Sequence, residues 1–185
     1  RYLSSDAFFW NVTFHEVAHG LGVKETVNGL GSVDAALGNE SSVWEEAKAD
    51  ILGLYMVCNL IDKGEIPLIS KEAAITTYIA SLVRSVRFGA AGAHGRANMM
   101  CYNFLKDNGA FERNKDGLYH INYDKVPEVV AAWAELIITT QATGNYMFAK
   151  EYDTNHAVVP EALSADIANV NRGGVPVDIR FEFVW

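Results

Sequence analysis

Apolar residues recur at helical spacing through most of the chain, and polar or glycine-rich stretches separate the runs. Leu3 to Gly20 reads as a helix, with Ser4, Ser5 or Asp6 available as N-cap and Gly20 or Gly22 as its stop. Phe8, Phe9, Trp10, Val12 and Phe14 lead into Val17, Ala18, Leu21 and Val23, so this helix is expected to be largely buried. Gly22 to Ser42 is rich in glycine and polar residues and predicts a loop, with a short turn at Val33 to Leu37. Val43 to Lys63 has the length and apolar density of a core helix, with Ser41 or Ser42 as cap, Glu45 placed for a capping box, and Gly64 and Pro67 closing it. Further helices are predicted over Lys71 to Phe88 with Ser70 as cap, Arg96 to Asn108 ended by Gly109, Lys125 to Gly144 with Pro127 in the first turn, Asn145 to Tyr152, and Glu161 to Ala168. Between Phe111 and Tyr123 the pattern turns to a small hairpin around Asp116 and Gly117. Val175 to Val184 alternates and predicts an extended segment. The fold class is mostly α with a minor β-hairpin.

Composition narrows this picture. The 185 residues, 50% hydrophobic and 11% aromatic, suit a single domain that can bury a core without disulfides. A net charge of −8 with no Lys/Arg cluster disfavours nucleic acid but not peptides. Cys58 and Cys101 each sit in an apolar helical run, read as buried thiols, and offer no C-x-x-C metal spacing. No apolar run of about 18 residues is present, which gives no expectation of a membrane span, and no charged leader precedes a hydrophobic stretch. The chain starts at Arg1 rather than Met, with its most informative motif close by, so a fragment or a processed product is expected, and any upstream lobe walling a substrate cleft would lie outside it.

That motif is Thr13-Phe14-His15-Glu16-Val17-Ala18-His19-Gly20. In a helix His15 and His19 stand one turn apart, about 6 Å between Cβ atoms, so their rings can converge on one ion. Glu16 is turned away by about 100°, within reach of a water on that ion, as a general base requires. H-E-x-x-H on a helix is a known zinc-hydrolase signature. Two histidines and a glutamate are costly to bury unless paired or ligated. A catalytic zinc site takes three protein ligands and leaves a fourth position for water. Val43 to Asp50 supplies the third: Glu46 and Asp50 share a face of the next helix, Glu46 as ligand and Asp50 as acceptor for the N–H of His15 or His19. Glu45, beside Glu46, is a further candidate to support the ligands. The pair of motifs, H-E-x-x-H followed by E-x-x-x-D, implies a Zn2+ hydrolase.

His94 lies among glycines in Ala93-His94-Gly95-Arg96 where a helix begins. It can donate to an oxyanion formed at a carbonyl, or serve only as a capping or exposed histidine. His120 and His156 read as surface residues. Arg84, Arg87, Arg96, Arg172 and Arg180 can each grip a substrate carboxylate, and nothing local selects among them. Tyr55 and Tyr102 read as core. Asn11, one turn before His15, faces the site or forms a buried hydrogen bond.

His15-Glu16-Val17-Ala18-His19-Gly20, Glu45-Glu46-Ala47-Lys48-Ala49-Asp50-Ile51-Leu52-Gly53-Leu54-Tyr55 and Ala93-His94-Gly95-Arg96-Ala97 together resemble the three signatures of the dipeptidyl peptidase III family of zinc metallopeptidases, peptidase family M49. The resemblance covers roughly residues 8 to 110. It implies that His15, His19 and Glu46 hold zinc, that Glu16 is the base, and that His94 matches the family's histidine near the scissile bond. The family pattern has one more residue between the histidines, H-E-x-x-x-H, where this chain has H-E-x-x-H. The family enzyme is two-lobed, and its N-terminal lobe supplies a tyrosine and strand edges that hold the peptide. The resemblance therefore implies the helical catalytic lobe of a short or divergent relative, acting on short peptides.

Overall fold

The computed structural model describes residues 2–87 and 89–174. Eight α-helices among these residues are α1 (Ser5–His19), α2 (Val33–Leu37), α3 (Ser41–Asp62), α4 (Lys71–Val86), α5 (Ala93–Asp107), α6 (Val126–Thr143), α7 (Tyr146–His156) and α8 (Glu161–Arg172). A two-stranded antiparallel hairpin, β1 (Phe111–Arg113) and β2 (Tyr119–Ile121), pairs Glu112 with His120. The mostly helical expectation with one small hairpin therefore holds. The extended segment expected at Val175 to Val184 lies outside the described residues.

Helix α3 is the axis of the fold, touching α1, α2, α4, α5 and α6. Its Trp44, Ala47, Ile51 and Leu54 are buried, and Trp44 meets Trp133 of α6 and Tyr152 of α7 in an aromatic cluster. Met99, Met100, Tyr102 and Leu105 of α5 fill the space between. Helix α1 crosses α3 at Gly53. A Cβ there would lie 2.9 Å from the backbone nitrogen of His15, so only glycine permits the approach.

Several local expectations hold. Ser4 caps α1, accepting from the Ala7 amide, and Ser70 caps α4, accepting from that of Ala73. Gly144 ends α6 in the left-handed conformation that suits a C-terminal glycine. The short turn expected at Val33 to Leu37 within the Gly22 to Ser42 loop is present as α2, which runs through a 3-10 turn at Gly38–Glu40 straight into α3. Three expectations fail. Ser41 is thus already helical and no capping box forms; the carboxylate of Glu45 is taken by Lys48 and His19. Helix α1 is not largely buried: Ala7 and Ala18 are its buried residues, while Phe9 is 61% and Val17 49% exposed. Tyr55 is 47% exposed rather than core, whereas Tyr102 is buried as expected. Among the described residues no helix is long and apolar enough to cross a membrane.

Candidate metal centre

The close crossing at Gly53 sets the C-terminal turn of α1 against the second and third turns of α3, which brings His15 and His19 to Glu46. His15 Nε2 and His19 Nε2 are 3.2 Å apart, and Glu46 Oε2 lies 3.4 Å from the first and 3.8 Å from the second. Tetrahedral bonds of about 2.0–2.1 Å put ligand atoms roughly 3.3–3.4 Å apart. Two edges of the triangle are close to that length, and the third, from Glu46 to His19, is longer at 3.8 Å. Glu46 Oε2 is buried and has no hydrogen bond among the described residues, although His94 Nε2 stands 3.0 Å away. Two ring nitrogens and an orphaned carboxylate oxygen at this separation need a cation or protons between them. The donor set fits a divalent metal such as zinc.

Carboxylates hold both rings from behind. His15 Nδ1 pairs with Asp50 Oδ1 at 2.8 Å and His19 Nδ1 with Glu45 Oε1 at 3.2 Å. A proton on each Nδ1 leaves each Nε2 lone pair facing the centre, the tautomer a ligand requires. Asp50 also accepts from Asn98 Nδ2 at 2.8 Å. Glu45 accepts from Lys48 Nζ at 2.7 Å, and the same ammonium donates to the Leu21 carbonyl at 2.7 Å, tying the chain after α1 to α3.

The charges are strongly coupled. Burial lowers the pKa of His15, but the adjacent carboxylates of Asp50 and Glu46 outweigh it and raise the value to about 10. Burial would raise Glu46, yet the neighbouring His15 and His94 rings hold it below the usual carboxylate range. Glu45 is likewise raised by burial and lowered further by Lys48 and His19. Burial wins at Lys48, whose pKa is depressed despite Glu45. With the His15 pKa raised in this way, a metal ion binding here must displace a proton.

A cleft of about 260 Å³ opens beside the centre, lined by His15, Glu16, Asp50, His94 and Asn98 and also by Phe8, Val12 and Arg84. Glu16 is exposed to it. His94 lies in the first turn of α5 with its ring 69% exposed and stacked 6.2 Å from that of His15. Asn11 donates to the Ala74 carbonyl at 3.0 Å while also lining the cleft. His120 is exposed, as expected, whereas His156 is half-buried and stacked on Tyr152 at 3.9 Å. Cys101 is buried and Cys58 half-buried; burial pushes the Cys58 thiol up to about 11.

Motif spacing alone assigns no role to Lys48, Asn98 or Gly53. Lys48 was signalled by its place on the apolar face through Trp44 and Ile51, since an ammonium there must find buried partners. Asn98 lies one turn after His94 and shares its face.

No family model matches the sequence. The chain is 32% identical over 182 residues to Nudix hydrolase 3 of Arabidopsis thaliana, an alignment covering 96% of this chain and 23% of that protein. Two solved structures superpose with a TM-score of 0.90 over 96% of the chain. They are DPP III from Caldithrix abyssi, at 33% identity, and dipeptidyl-peptidase III from Corallococcus sp. strain EGB, at 37%. The chain spans 34% and 33% of those two structures. In fold and in sequence it is similar to one third of a dipeptidyl peptidase III.

Proposed function

We propose that this chain is the catalytic lobe of a zinc metallopeptidase of the dipeptidyl peptidase III kind, acting on short peptides. The observation that carries the reading is the triangle of His15 Nε2, His19 Nε2 and Glu46 Oε2, with two edges near those of a tetrahedral zinc site and with Glu16 in the adjoining cleft. When bound, zinc would act as a Lewis acid on the scissile carbonyl and make water more acidic. His15, His19 and Glu46 would hold it, and Asp50 and Glu45 fix the two rings. Glu16 takes the proton from the attacking water and returns it to the leaving amine. His94, exposed at the mouth of the cleft, donates to the carbonyl oxygen as negative charge develops there. An upstream lobe of a longer protein closes the cleft over the peptide. Release of dipeptides is the activity named for the two solved relatives and is extended to this chain on that likeness.

Glu16→Gln in the full-length protein should abolish hydrolysis of dipeptidyl-naphthylamides while plasma emission still finds zinc. Wild-type activity in that variant would reject Glu16 as the base. A second reading keeps the metal and changes the substrate to a non-peptide amide or ester, favoured by the relative named Nudix hydrolase 3. A panel of small amides and esters against peptides separates the two.

A further inference from the structure

The carboxylates behind the two rings are themselves held in different ways. Asp50 accepts from a neutral amide, Asn98 Nδ2, whereas Glu45 accepts from the ammonium of Lys48. Lys48 lies in the apolar stripe of α3 with Trp44 and Ile51, and its side chain is only 1% exposed. A lysine buried to this degree is rare unless it is paired. Here its three N–H donors meet three acceptors: Glu45 Oε1 at 2.7 Å, the Leu21 carbonyl at 2.7 Å and the His19 carbonyl at 3.4 Å. All three bear on one candidate metal ligand. Glu45 Oε1 is the same oxygen that faces His19 Nδ1 at 3.2 Å, the His19 carbonyl is that ligand's own main chain, and Leu21 follows it by two residues. Resting on the metal-centre reading above, we propose that Lys48 is a positioning residue for zinc, holding His19 by its ring and by its main chain at once so that Nε2 stays aimed at the ion.

The need for an ammonium follows from the exposure of Glu45. Its side chain is 33% exposed, so water competes with the His19 ring for the carboxylate. Lys48 has almost no access to water, and its charge-assisted bond keeps Oε1 at the ring. The stem of Lys48 is itself confined. It passes under Gly22, which has φ +83°, and a Cβ added there would lie 2.9 Å from Lys48 Cδ. The turn after α1 thus closes over the lysine, while the carbonyls at the end of α1 face its positive charge, the favourable sign for a helix C-terminus. Lys24 Nζ donates to the same His19 carbonyl at 2.8 Å from the exposed side, so the contact peculiar to Lys48 is the one through Glu45.

The test measures the zinc affinity of the full-length protein by competition with a chromophoric chelator, with helical circular dichroism as the check on folding. Lys48→Met keeps the buried stem and removes the donors. It should weaken zinc about 10-fold, the lower end of what loss of a ligand's supporting contact costs. Glu45→Gln should weaken zinc as well, and adding Lys48→Met to it should cost less than about 2-fold more, because the ring has already lost what Lys48 holds. Lys24→Met should stay within about 2-fold of the parent. Unchanged zinc affinity in folded Lys48→Met, additive losses in the double variant, or an equal loss in Lys24→Met would each overturn the assignment. If Lys48→Met does not fold, the double variant, which leaves no carboxylate unpaired, decides against Glu45→Gln alone: a further loss of about 10-fold overturns the proposal. A parent protein that binds no zinc would instead remove the metal-centre reading and this inference with it.

Discussion

At Gly53 the atoms that an added Cβ would meet are backbone atoms: the nitrogen and Cα of His15 and the carbonyl carbon of Phe14, within 3.1 Å. None can swing aside. Gly53→Ala gains roughly 1 kcal/mol of helix propensity but incurs about 1–3 kcal/mol of overpacking, a net loss of about 0–2 kcal/mol. The effect is larger at the metal centre, because the displaced backbone is that of a ligand. The expected outcome is a lowered urea midpoint with zinc affinity at least about 10-fold weaker, measured by competition with a chromophoric chelator. Asp50→Asn probes the same ligand from its other side. The substitution keeps the volume but removes the charge that holds a proton on His15 Nδ1, so zinc affinity should fall by about 10–100-fold. Retention of wild-type affinity in Asp50→Asn would show that His15 needs no such partner.

Helix α8 is tied to the hairpin by one bidentate pair: Arg113 Nε and Nη2 donate to the two oxygens of Asp166, each at 2.7 Å, and Tyr119 Oη adds a third bond at 2.7 Å. The hydrogen bonds from Arg113 hold the Asp166 pKa below its ordinary 3.8, against the opposing effect of burial. A carboxylate with a depressed folded pKa stabilises above its unfolded value, and that contribution disappears as pH falls below 3.8 through the lower folded value. Asp166→Asn should therefore cost about 1 kcal/mol at neutral pH, and the difference from wild type should shrink in melts as the pH is lowered below 3.8. Little of this pairing was legible beforehand, because Arg113 and Asp166 are far apart in sequence and periodicity carries no information about partners. What periodicity does carry came through: α3, α4, α5 and α6 lie where their apolar stripes put them, and Ser4 and Ser70 cap as their chemistry dictates. The capping box failed because it reads only a local preference, and Glu45 found stronger partners in Lys48 and His19. The motif residues were legible because i, i+4 geometry is fixed by the helix itself.

On the scale of the whole molecule, the misjudged burial of α1 is informative. Its apolar residues ring the helix, and α3 and α4 can cover only part of that circumference. Phe9 at 61%, Val17 at 49%, Val12 at 44% and Phe8 at 42% exposure are left facing outward. Large apolar side chains exposed together on one helix mark an interface, and Phe8 and Val12 among them line the cleft that holds Glu16 and His94. The chain covers only about a third of its two solved relatives, and we take the remainder of a longer protein as what covers this face. If so, the 185 residues alone should self-associate, with two opposing terms setting the extent. The net charge of −8 keeps copies apart, and salt shortens the reach of that repulsion, to a Debye length of about 8 Å at 0.15 M and about 3 Å at 1 M. Burial of the α1 face is unaffected by screening, so association should increase from low salt to 1 M. Sedimentation velocity of the isolated chain across that range reads the effect, and Phe9→Lys with Val17→Glu should suppress it without changing helical circular dichroism. In the full-length protein the same two positions should be solvent-protected, so that cysteines placed there react slowly with maleimide. A chain that stays monomeric at high salt, with fast labelling in the long form, would leave the α1 face as surface and remove the case for a covering lobe.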